Sequence, residues 1–129
     1  MPRKVIQPKT LSDPRPRYSQ GILNSGGKLL FIAGQTASDK DGNVVGKGDI
    51  IAQTEQVFAN LKAVLKTAGG TLDNLVMTTT YITDRKYREG YNEVRRQQYR
   101  KTPPTSTLVI VKGLAHPDYL IEIAGIAVL

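Results

Sequence analysis

The chain contains no cysteine, no tryptophan, one histidine and two phenylalanines among its 129 residues. Without cysteine there is no disulfide, no thiolate nucleophile and no cysteine-ligated metal, which fits a reducing compartment. One histidine excludes a histidine-rich metal site within a single chain. The shortage of large aromatic side chains requires a core built from aliphatic residues. No stretch reaches the ~20 apolar residues that a membrane span needs. The basic start, MPRKVIQPKT, has no apolar segment behind it of the kind a secretory signal carries. The expectation is a cytoplasmic protein with no membrane partner.

What is present suits one domain over residues 1–129, since domains run to roughly 100–200 residues. A chain of this size buries roughly two thirds of the surface its unfolded form exposes. That leaves room for a core but not for a large enclosed active site inside one subunit. The formal charge of +7 permits a polyanion partner or a small acidic substrate and does not choose between them.

Residues 1–17 carry four prolines and five basic residues and read as an extended arm, with a short edge strand near Val5-Ile6. Its charges are those of a solvated tail or, on the sharper reading, of a nucleic-acid arm. Tyr18–Leu23 and Lys28–Ala33 are strand-like runs joined by the turn signal Asn24-Ser25-Gly26-Gly27, which predicts a β-hairpin. Residues 36–48 read as a loop with Asp41-Gly42 as its clearest turn. From Asp49 to Ala68, apolar residues recur at the 3–4 spacing of one helix face. Gln53, Glu55, Gln56, Lys62 and Lys66 fall mostly opposite. Asp49 is placed to cap that helix and Gly69-Gly70 to end it. Leu75–Thr83 is β-branched and predicts a strand. Asp84 then caps a second helix over about Lys86–Arg100, with Tyr87, Tyr91 and Val94 inward and Arg88, Glu89, Glu93, Arg96 and Arg100 outward. Ser106–Lys112 and Tyr119–Val128 complete the strands. Two helices on one face of a mixed sheet make an α+β fold. The other face has no helix to cover it, so self-association is expected.

Glu122 is the most informative residue. Side chains alternate along a strand, and Glu122 is the only charge in a final strand that is apolar on both faces. An unpaired carboxylate there must find a partner or hold its proton. Either state suits a general acid/base or a water-orienting group; the plain alternative is an ion pair, for example with Lys112. Gly34-Gln35 ends the central strand, where glycine lets a ligand or another chain approach the backbone; a simple strand-end turn is the alternative. The hydroxyls of Thr105-Ser106-Thr107 open a strand behind Pro103-Pro104 and could position water or bind a carboxylate, or reflect β-propensity alone. His116 has no visible triad partners. GNVVGKGD (42–49) has the wrong spacing for a phosphate loop. The run 85–101 interleaves tyrosines with cations and reads either as a phosphate-binding face or as an amphipathic helix with a solvated outer side.

Taken together, these residues resemble the Rid (YjgF) family of reactive-intermediate deaminases. The resemblance runs through Tyr18-Ser-Gln-Gly21, Phe31-Ile-Ala-Gly-Gln35, the helix Gln53–Leu65 with Ala68-Gly69-Gly70, the Thr-Thr-x-Tyr-Ile-Thr-Asp strand, Tyr91-Asn92-Glu93, Pro103–Thr107 and the closing Ile121-Glu122-Ile123 with Ile126-Ala127-Val128. It implies a chorismate-mutase-like subunit forming a homotrimer with small-molecule clefts between subunits. It implies hydrolysis of an imine, formed from an enamine, with release of ammonia and without metal or organic cofactor. Glu122 would activate water as the catalytic residue; Tyr18, Gly34, Asn92 and Thr107 would line the substrate pocket. Links of family members to RNA cleavage and translation inhibition keep a non-catalytic or RNA-binding trimer as the second reading.

One departure bears on the substrate. The family's carboxylate-binding arginine is third in its Pro-x-Arg-[Ser/Thr] segment, and here that position is Thr105. Arginine holds a carboxylate bidentately; threonine brings one hydroxyl and no charge. Losing such a charged partner removes ~1.5–3 kcal/mol of binding. The usual Ser-Gly of the central strand is Ala33-Gly34, and a helix position that is often tyrosine is Arg95. The expectation is a reshaped pocket in which Arg95 or Arg17 supplies a relocated cation, or a substrate without that carboxylate.

Overall fold

The structure is a computed structural model and describes residues 3–100 and 102–129. Met1 and Pro2 of the basic arm and Lys101 of the basic run lie outside the described residues. The arm does contain a strand, β1 (Arg3–Ile6), longer than the expected pair of residues. It pairs antiparallel with β2 (Gly21–Asn24) in a separate two-stranded sheet. The expected hairpin between the second and third runs is therefore not formed. Gly26 and Gly27 do turn the chain with positive φ, but β3 (Leu29–Gln35) enters the main sheet instead and pairs with the last strand. A turn signal fixes a change of direction; it does not fix which strand becomes the neighbour.

The main sheet has the order β3-β6-β4-β5, with β4 at Leu75–Ile82, β5 at Thr105–Ile110 and β6 at Ile121–Val128. β6 is antiparallel to both neighbours, and β4 and β5 are parallel. The sheet is mixed, as expected, and its two helices share one face. Helix α1 (Ile50–Thr67) starts where the carboxylate of Asp49 accepts from the Ala52 N–H, and Gly69 follows its end with φ of 89°. Val57, Phe58, Leu61 and Leu65 of α1 are buried with Ile32, Ile82, Ile121, Ile123 and Ala127 of the sheet. Each of the valine, leucine, isoleucine and phenylalanine side chains contributes roughly 1.5–3 kcal/mol when fully buried.

Gln53 departs from its expected outward position and is fully buried. Its amide donates to the carbonyls of Gly46 (3.2 Å) and Asp118 (2.8 Å) and accepts from the Leu120 N–H (2.9 Å). The helix thus ties the 36–48 loop to the start of β6 through one polar side chain. The second helix is split: a 3-10 turn over Arg85–Tyr87, capped by Asp84, leads into α2 (Arg88–Gln98). Tyr91 and Val94 are buried as expected, and Arg95 joins them.

The far face of the sheet is bare. Along β6, Ile121, Ile123, Gly125 and Ala127 are buried and face the helices, whereas Glu122, Ala124, Ile126 and Val128 alternate toward the other side. Register carries the bare face across the sheet: Ile126 lies between Phe31 and Met77, and Met77 lies opposite Thr105. Phe31 is 70% exposed and Leu29 62%.

Candidate functional site

Strand β6 presents Glu122 on the bare face, opposite Tyr81 of β4. On its other side the ladder with β3 slips. Ile32 pairs with Gly125 and Gln35 with Ile123, so β3 takes three steps where β6 takes two. The extra residue of this bulge falls at Ala33-Gly34 and brings the backbone of Gly34 beneath the Glu122 side chain. A Cβ built on Gly34 would lie 2.1 Å from Glu122 Oε2 and 2.9 Å from its Cγ. Only glycine lets the carboxylate lie against the strand in this way. Among the described residues no hydrogen bond or ion pair engages that carboxylate. Lys112 lies past the end of β5, and β4 stands between β5 and β6, so the expected ion-pair alternative is not formed. A half-buried, unengaged carboxylate on an apolar face can accept hydrogen bonds from water and take its proton during attack on an electrophile.

A second cluster forms where residues 17–19 run beside the start of β5. Ser19 is buried; its N–H donates to the Pro104 carbonyl (3.0 Å) and its hydroxyl to the Pro103 carbonyl (2.5 Å). This fixes Tyr18 next to α2. Arg95 is only 5% exposed. Its guanidinium lies 4.5 Å from the Tyr91 ring centroid and 6.0 Å from that of Tyr18. It donates to Ser106 Oγ (3.1 Å) and to Asn92 Oδ1, while Nε has no partner among the described residues. Arg17, Tyr18, Arg88, Arg95, Ser106 and Leu108 line a cavity of about 390 Å³.

The expected site residues therefore fall into two groups in one subunit. Glu122 and Gly34 touch on the bare face. Tyr18, Asn92 and Arg95 gather on the helix side, beyond edge strand β5. Thr105 and Thr107 share the bare face with Glu122, in the rows of Ile126 and Ala124 respectively. The Thr105 hydroxyl donates to the Val76 carbonyl (3.0 Å), which commits its single proton within the sheet. Of the two expected replacement cations, both Arg95 and Arg17 border the cavity, but the sheet separates them from Glu122 of the same chain.

Ser106, named in the sequence with Thr105 and Thr107 as a hydroxyl able to bind an anion, is the one of the three that reaches this cavity, and Arg88, expected on the outer face of the helix, borders it as well. Both were legible: strand alternation puts Ser106 opposite in face to Thr105 and Thr107, and Arg88 and Arg95 are seven residues apart, two helical turns. His116 is a turn residue whose Nδ1 accepts from the Asp118 N–H (3.0 Å). The tyrosines of the basic run are used in packing: Tyr91 is buried and Tyr99 meets the Phe58 ring edge-on at 5.9 Å. Burial pushes the Tyr99 phenol well above its usual pKa. A larger depression of about 630 Å³, bordered by Lys62, Lys66 and Arg100, contains none of the expected residues. Among the described residues no group of three metal-ligating side chains converges, and no helix is long and apolar enough to cross a membrane.

Comparison with known proteins identifies the family and the fold. The family described as endoribonuclease L-PSP, the Rid/YjgF group, matches residues 9–129. The chain belongs to the Rid (YjgF) family. A Rid-family protein of unknown function from Yersinia pestis is 36% identical over the whole of both chains, with a TM-score of 0.93. A Thermotoga maritima protein described as a candidate endoribonuclease is 31% identical over 98% of this chain and 97% of its own, with a TM-score of 0.74. RidA from an Antarctic Psychrobacter is 28% identical over 98% and 99%, also at 0.74. Within this Rid fold, position 105 is an uncharged threonine with a committed hydroxyl, and the positive charge lies with Arg17, Arg88 and the buried Arg95.

Proposed function

We propose that this Rid protein is a small-molecule hydrolase of the imine/enamine deaminase type. The single observation that carries the reading is the unengaged Glu122 carboxylate lying against Gly34 on an apolar sheet face. In the proposed step a water held by Glu122 attacks the carbon of a protonated C=N bond. Its oxygen forms the new C–O bond and Glu122 takes its proton. The tetrahedral adduct then expels ammonia as that proton returns to nitrogen, and the hydroxyl proton passes through Glu122 to the departing ammonia, which leaves as ammonium while a neutral carbonyl remains. Imine plus water gives carbonyl plus ammonia, with no oxidant or cofactor in the balance. Gly34 serves by exposing backbone beside the carboxylate.

The bare face is the surface that two further copies would cover, giving a homotrimer. Exposed Leu29 and Phe31 with half-exposed Met77 favour that packing, since contiguous apolar surface gains by leaving water. In such a trimer the cleft at the edge of β5, with Tyr18 and Asn92, would face the Glu122 side of a neighbour. Thr105 offers no charge, so an anionic group on the substrate is met by a relocated cation, Arg95 or Arg17, and not at position 105. The reading is tested by following hydrolysis of enzymatically generated imines by the wild type and by Glu122→Gln, which keeps the shape and loses the base. Loss of all acceleration in the variant supports it; equal rates contradict it.

A second reading, an RNA-binding trimer, draws on the net charge of +7, on Arg17, Arg88 and Arg95, none of which has an ion-pair partner among the described residues, and on the description given to the Thermotoga relative. RNA held through phosphates would lose affinity steeply with salt, and Glu122→Gln would leave that affinity unchanged.

A further inference from the structure

The cavity beside α2 contains more positive charge than its surroundings balance. Arg17, Arg88 and Arg95 border it. Among the described residues the ion pairs are Arg15 with Asp13 and Lys47 with Asp118, so none of the three cavity arginines is neutralised by a carboxylate. Arg95 is the decisive member. It is 95% buried, and a charged group out of water needs a counter-charge. What the protein supplies instead is neutral: the Ser106 hydroxyl, the Asn92 amide oxygen and two tyrosine rings. One of its donors, Nε, is left without any partner among the described residues. Arg17 and Arg88 are exposed and yet converge on the same cavity.

We infer that this cavity is a binding site for a compact dianion of the phosphate type, held between Arg95 at the floor and Arg17 and Arg88 at the rim. A monocarboxylate would answer one of three positive charges. A phosphate monoester carries about −1.5 to −2 at neutral pH and presents three acceptor oxygens. Guanidinium forks match such oxygens bidentately, which ammonium groups do not. The volume of about 390 Å³ leaves room beyond the phosphate for a small organic group against Tyr18. The inference deepens the hydrolase reading, on which its meaning for substrate rests: a phosphate or phosphonate on the molecule processed is held in this cavity, on the helix side of β5, and not at Thr105 on the other face.

The test is calorimetric titration of the full-length protein with inorganic phosphate, methyl phosphate and acetate at one ionic strength. Binding of both phosphates at least tenfold tighter than acetate is expected, with methyl phosphate the tighter if the organic part is recognised and inorganic phosphate the tighter if the free ion is the ligand. Arg17→Gln and Arg88→Gln, both at exposed positions that leave the fold intact, should each weaken phosphate at least tenfold. Equal affinity for acetate, no binding of either phosphate at millimolar concentration, or full affinity in both arginine variants would overturn the inference. So would tight binding of a short RNA by a protein that does not bind phosphate, which would assign the arginines to nucleic acid. Imine hydrolysis measured on the same samples separates the readings: phosphate binding without Glu122-dependent turnover leaves the site standing and removes the hydrolase, and turnover without phosphate binding does the reverse.

Discussion

Glu122 and Gly34 face each other so closely that a single methyl group on Gly34 would fall 2.1 Å from the Glu122 carboxylate oxygen. The bulge in β3 creates this contact, and it ties the position of the proposed base to the absence of one side chain. Gly34→Ala should therefore lower imine hydrolysis at least tenfold by turning the carboxylate aside. Stability should hold or rise slightly, because glycine in a strand is roughly 0.5–1 kcal/mol less favourable than alanine and the φ of Gly34 is not positive. Thermal melting together with turnover numbers checks this; full activity in the variant would show that the contact has no role.

Thr105→Arg restores the charge that the family segment normally holds. The account predicts no gain on simple 2-imino acids, because the cavity on the helix side of β5 already contains three arginines. A steady-state comparison on a 2-imino acid with an apolar side chain decides it. A large rise in kcat/KM would mean that the pocket was never reshaped and lacks only its arginine.

Gln53→Ala removes a fully buried amide with three hydrogen bonds to Gly46, Asp118 and Leu120. Leaving buried backbone groups unpaired costs about 1–3 kcal/mol for each group. A loss of roughly 2–4 kcal/mol is expected in a urea titration read by circular dichroism. A loss below about 1 kcal/mol would show that water replaces the amide at no cost.

Phe31→Glu puts charge on the most exposed part of the bare face, where Phe31 is 70% exposed. Sedimentation velocity should show the wild type as a trimer and the variant as a monomer or a mixture shifted toward it. A monomeric wild type would contradict the trimer.

Much of the fold was legible because helix and strand periods are local. The periodicity over Asp49–Ala68 located α1 to within a residue at each end, and the alternation of β6 set Glu122 apart from the buried Ile121 and Ile123. What was not legible depends on contacts distant in sequence. The turn at Gly26-Gly27 gave no information on whether β2 would pair with β3 or with β1. Gln53 was assigned to the polar side of α1 because hydropathy does not register a carbonyl 65 residues away. The contact of Gly34 with Glu122 depends on a one-residue slip in the β3–β6 ladder that no local pattern announces. The site was half legible for the same reason. Its residue types were marked by sequence, but the division of Tyr18, Asn92 and Arg95 from Glu122 by the sheet appears only in three dimensions.

The central claim is that Glu122 does chemistry on a C=N bond. The most direct measurement generates imines with an amino-acid oxidase in the presence of semicarbazide and follows the trapped product, with wild type, with Glu122→Gln and without protein. The account predicts that the wild type diverts imine from the trap and that Glu122→Gln returns it to the protein-free level. Equal diversion by wild type and variant, or none by the wild type, would contradict it.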